Sequence, residues 1–76
     1  MDTRPEIDQA RGMIMALVPC SAEDAWEILV ETSQHTNVKL REVAAHLVAT
    51  TTGTQLPGDV GKELAAAFRR HRPARP

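Results

Sequence analysis

Residues 40–48 carry Leu40, Val43, Ala44, Leu47 and Val48 at i, i+3, i+4, i+7 and i+8, the spacing of one face of an α-helix. No other feature constrains the chain more, because the same periodicity recurs on both sides of it. Upstream, Ile7, Ala10, Ile14 and Leu17 follow at spacings of 3, 4 and 3, with Met13 widening the stripe. Next, Ala22, Ala25, Trp26, Leu29 and Ser33 fall at i, i+3, i+4, i+7 and i+11, which predicts an inner face containing Trp26. Beyond residue 58, Val60, Leu64, Ala67 and Phe68 mark a fourth segment. No stretch alternates as a strand would.

Each segment has its own punctuation. Thr3-Arg4-Pro5-Glu6 reads as a capping box with proline in the first turn. Pro19 disfavours helix at Val18 and so ends the first helix. Ser21-Ala22-Glu23-Asp24 is a second cap, with Cys20 and Ala25 placed to form a small staple. The second helix should fade near His35. Asn37 is expected to cap the third, since its side-chain oxygen can accept an orphan amide. "TTTGTQLPG" reads as a linker, and Asp59 as the cap of the fourth segment, whose last turn carries Arg69, Arg70 and His71 to complement the dipole. The expected architecture is all-α: a small three-helix bundle over residues 1–50, a linker over 51–58, an additional C-terminal amphipathic helix over 59–71 and a disordered tail over 72–76.

A core for 76 residues must come from aliphatic side chains, as there is one Trp, one Phe and no Tyr. Cys20 is the single cysteine, so no internal disulfide can form, and a reducing cytoplasm is the expected compartment. At a helix N-terminus its thiol could be activated, although a small staple residue explains it better. No apolar run is long enough to span a membrane, and no secretory signal opens the chain. The net charge of −1 conceals a division, with −5 on residues 1–38 and +4 on residues 39–76. Such asymmetry marks a polyanion contact or a solvated basic tail.

No enzymatic constellation is present. The glycines are scattered rather than gathered in a phosphate loop. His35, His46 and His71 lack metal-ligand spacing, and no cofactor is implied. The pairs Glu23/Glu27 and Glu27/Glu31 suit a solvated helix face. Binding remains. Lys39 and Arg41 stand at the start of a helix, where amide groups and cations together attract phosphate. The layout equally suits a DNA-reading helix-turn-helix or a helical protein-interaction and dimerisation module. Gly12 stands out inside the first helix, where glycine costs roughly 1 kcal/mol relative to alanine. It would serve close packing against Trp26 or close approach of a ligand.

The blocks "IDQARGMIMA", "CSAEDAWEIL" and "SQHTNVKLREVAAHLV" together resemble the ANTAR family, the RNA-binding domain of bacterial transcription antitermination regulators. The resemblance rests on Ala10-Arg11-Gly12-Met13-Ile14-Met15, on Ser21, Ala25, Trp26 and Leu29, and on Ser33, Asn37, Lys39, Leu40, Val43 and Ala44. It implies a three-helix bundle that grips stem-loops of nascent messenger RNA, two adjacent hairpins with six-base loops, and so prevents a terminator from forming. It also implies RNA contacts by Arg11, Gly12, Ser33, Asn37, Lys39 and Arg41. The cations would meet phosphates or stack on bases, and Ser33 and Asn37 would read base edges. The segment Ala16–Cys20 is more apolar than the family's usual connection between these helices. Family members usually carry an upstream sensor domain. Here the expectation is constitutive action, a homodimer, or a sensor-protein partner.

Overall fold

The structure, a computed structural model, describes residues 4–71. Helix α1 spans Arg4–Leu17, α2 Ala22–Thr36, α3 Leu40–Ala49 and α4 Gly58–Arg70, with a 3-10 turn at Thr50–Thr52. No strand occurs among the described residues. The expected bundle with an additional C-terminal helix is what forms. Thr3 and the tail over 72–76 lie outside the described residues.

Helix α1 stops where proline requires, with Val18 outside the helix but still donating its amide to the Ile14 carbonyl at 2.8 Å. Ala10 and Ile14 are fully buried. The stripe does not extend to Leu17, which is 64% exposed; Val18 is buried in its place. Val18 keeps the helical bond to Ile14 and continues the Ala10 and Ile14 face at i+4, from which Leu17 is turned away. Ser21 then caps α2, its hydroxyl accepting from the Asp24 amide at 3.0 Å. Cys20 is partly buried and packs against the core cluster that contains Ala25.

The inner face of α2 differs from the expected one. Ala25, Ile28, Leu29 and Thr32 are buried, whereas Trp26 is 40% exposed. Apolar side chains occupy positions 25, 26, 28, 29 and 30, so periodicity alone allows two rotations of this helix. The docking of α4 on α2 selects the Ile28–Thr32 side. A threonine is tolerated there because its hydroxyl donates to the Ile28 carbonyl at 2.8 Å, which leaves no unmet polar group.

Helices α1 and α3 pack on one another and each packs on α2, while α4 lies against α2. Val43, Ala44 and Leu47 meet the α1 and α2 residues in one core, and Val60, Leu64 and Ala67 of α4 join the same cluster. The C-terminal helix therefore packs in cis. Its start also departs from expectation. Pro57 is the N-cap residue with no side-chain bond, and Asp59 sits inside the first turn, accepting the Val60 amide at 2.9 Å. Within the expected linker, Thr51 and Thr52 donate their hydroxyls to the Val48 and Ala49 carbonyls at 2.7 and 2.9 Å, prolonging α3 as a 3-10 turn. Gly53 ends it at φ 95°, a left-handed conformation that only glycine adopts at little cost.

Candidate nucleic-acid interface

The turn between α2 and α3 collects four of the six expected contact residues. Helix α2 runs one residue past His35 and ends on Asn37, whose φ of 61° and ψ of 22° are left-handed. Asn37 is thus the C-cap of α2, not the N-cap of α3. Asparagine suits both roles, and Val38 and an extended Lys39 separate it from the next helix. Lys39 is the N-cap of α3, by backbone alone: its carbonyl accepts the amides of Glu42 and Val43 at 2.8 and 2.9 Å.

Three hydroxyl interactions hold this turn. Ser33 donates to the Val38 carbonyl at 2.6 Å. Thr36 donates to the Thr32 carbonyl at 2.6 Å and accepts the Val38 amide at 3.3 Å. Ser33 is consequently part-buried and committed to the turn, so that its hydroxyl proton is already placed. Asn37, Lys39 and Arg41 are exposed. Neither Lys39 nor Arg41 forms an ion pair among the described residues.

Arg11 and Gly12 lie on α1 and share no hydrogen bond with this turn. Arg11 is held by Asp8 of its own helix at 3.3 Å, a surface pair of small energetic weight. Gly12 is exposed, and a Cβ built on it would meet no heavy atom within 4 Å. Close packing against Trp26 is therefore not what this glycine provides. It leaves a patch of α1 backbone open to solvent, at a cost in helix propensity that no packing offsets.

At the end of α4, Arg70 and His71 are engaged by acidic side chains of α2 and of α4 itself. Arg70 reaches Glu31 at 2.8 Å and Glu63 at 2.9 Å. His71 Nε2 lies 2.7 Å from Glu31, and His35 Nδ1 lies 2.6 Å from Glu63. The hydrogen bond from His71, opposed by desolvation and assisted by Arg70, holds the Glu31 carboxyl below the usual carboxylate range. His35 and then Arg70 lower Glu63 likewise, and the two carboxylates raise Arg70. Part of the charge division read along the sequence is thereby met inside the fold, at Arg70 and Glu31. Asp24, Glu27 and His71 also gather with ligand atoms within 4.8 Å of one another, the one grouping among the described residues that could hold a metal. Exposed acidic side chains commonly group in this way without an ion, and the grouping carries no metal reading. At Cys20, partial burial and then the charge of Asp24 push the thiol up, so the helix N-terminus does not activate it.

The described residues form an all-α bundle with a cationic, backbone-capped turn and an open glycine on the first helix. The sequence pattern of the ANTAR domain matches residues 1–48, more than half of the chain, and the protein belongs to that family of RNA-binding antitermination regulators. The family is regulatory rather than enzymatic. Comparison with curated proteins and with solved structures gives no match. The matched segment ends inside α3; the 3-10 turn and α4 follow it. None of the described helices is long and apolar enough to cross a membrane.

Proposed function

We propose that this protein recognises stem-loops in nascent messenger RNA and acts as a transcription antiterminator in the bacterial cytoplasm. The observation that supports this reading best is the α2–α3 turn of an ANTAR-family chain. There Lys39 and Arg41 form no ion pair among the described residues, whereas Arg70 of α4 is paired with Glu31 and Glu63. Free cations beside a helix N-terminus suit phosphates, and the exposed Asn37 amide suits an unpaired base edge. Residues 1–50 form the RNA-binding part on this reading. Arg11 supplies a further phosphate or stacking contact once it leaves Asp8, and Gly12 lets the nucleic-acid backbone approach α1. Holding two hairpins requires two such domains, from a homodimer or through a sensor-protein partner.

Fluorescence anisotropy tests the proposal. The probes are a tandem pair of six-base-loop hairpins, the same stems with scrambled loops, and duplex DNA of equal length, each at two salt concentrations. Preference for the intact loops is the expected result, with a salt slope that counts phosphate contacts. Equal, weak binding to all three refutes loop recognition. Preference for the duplex would point to a DNA-reading helix-turn-helix.

A further inference from the structure

Trp26 is the only large apolar side chain of α2 that is exposed, at 40%. Its neighbours in the sequence, Ala25, Ile28 and Leu29, are fully buried, so the helix had apolar surface to spare and left this ring outside. At 100° per residue, Trp26, Val30, Ser33 and Asn37 fall within about 60° of arc on one strip of α2. The rise places Trp26 about 10 Å from Ser33 and about 16 Å from Asn37 along the axis. The strip therefore runs from the cationic α2–α3 turn to an exposed indole.

Most acidic residues of α2 lie off this strip: Asp24, Glu27 and Glu31 stand about 60° of arc or more from its nearest member. Glu27 and Glu31 point to the side taken by α4, where Arg70 and His71 meet Glu31 and His71 approaches Glu27 at 4.0 Å. Glu23, one turn before Trp26, is the carboxylate that bounds the strip at its far end. Glu31 is thus paired on α4, and the other end of the Trp26 strip leads to the turn that carries Lys39 and Arg41.

We infer that Trp26 is a stacking platform for an unpaired RNA base, and that Val30, Ser33 and Asn37 form the track along which a loop strand leads from the phosphate-binding turn to the indole. The inference rests on the RNA reading above and adds to it a residue and a direction for the strand. Aromatic stacking on single-stranded bases is sequence-tolerant and strong per base. The 16 Å run suits a few extended nucleotides, which a loop supplies and a duplex does not.

The chain carries its own probe, since Trp26 is the sole tryptophan and there is no tyrosine. Titration with a six-base-loop RNA hairpin should quench Trp26 fluorescence, and the stem closed by a short loop should quench it far less. Trp26→Leu should weaken hairpin binding by roughly tenfold or more, with helicity by circular dichroism unchanged. Trp26→Phe, which keeps a ring, should recover most of the affinity. Parent binding with no change in Trp26 emission, or Trp26→Leu binding within about twofold of the parent, overturns the stacking role and leaves the RNA reading standing. No hairpin binding by the parent overturns both. A concentration-dependent blue shift without RNA makes the Trp26 face a contact between copies of this chain, and that result also overturns the inference.

Discussion

Gly12→Ala separates folding from binding most sharply, because the two effects have opposite signs. Gly12 lies in the interior of α1 without a left-handed backbone, and nothing stands within 4 Å of an added Cβ. No steric term opposes the substitution, so the helix should gain the full propensity difference of about 1 kcal/mol. For a domain of this size that corresponds to a rise in Tm of roughly 4–8 °C. Thermal melts at 222 nm and urea titrations measure it directly. The same methyl group would occupy the space through which an RNA backbone reaches α1. Hairpin affinity should therefore fall by about tenfold, equivalent to about 1.4 kcal/mol. A lowered Tm would refute the open geometry at Gly12. A raised Tm with unchanged hairpin affinity would refute the claim that the glycine serves RNA approach.

Lys39→Ala and Arg41→Ala should each weaken hairpin binding and lower the salt slope by about one, with helicity intact; unaltered affinity and slope would remove these residues from the interface. Asp8→Asn frees Arg11 from its partner at 3.3 Å and should strengthen hairpin binding at low salt, whereas no change would show that Arg11 takes no part. Leu64→Ala, at a site 2% exposed in the shared core, should cost about 2–5 kcal/mol in urea unfolding; a loss below about 1 kcal/mol would mean that α4 docks too loosely to belong to the cooperative unit. Glu31 and Glu63 are held below their ordinary carboxylate range. Their stabilisation is thus fully present above about pH 4.3 and lost as the pH falls through the lowered folded values. Urea midpoints measured between pH 6 and 3 should drop on acidification, less so in Glu31→Gln, and a parallel pair of curves would discount the clasp.

The local signals in the chain are of uneven reach. Ser21 caps α2 as its motif predicts, and Val43, Ala44 and Leu47 face inward as their spacing requires. Asn37 misleads because asparagine favours both ends of a helix, and only the Ser33 and Thr36 hydroxyl bonds to Val38 fix it as an end of α2. Lys39 and Arg41 were legible as candidate contacts because charge at a helix start has a local meaning. The isolation of Gly12 and the exposure of Trp26 were not legible, since each depends on where other helices stop.

The sequence by itself determined an all-α chain, its helix stop at Pro19, and the apolar face of α3. These depend on backbone sterics and on 3.6-residue periodicity, which act within a few residues. The tertiary structure alone decided which side of α2 is buried, that α4 closes the core in cis, and that Glu31 and Glu63 neutralise Arg70. Helix α2 has two apolar sides of comparable merit, and burial is a contest among surfaces. Its outcome waits on a partner helix some thirty residues away, which takes the Ile28 side and leaves Trp26 in solvent.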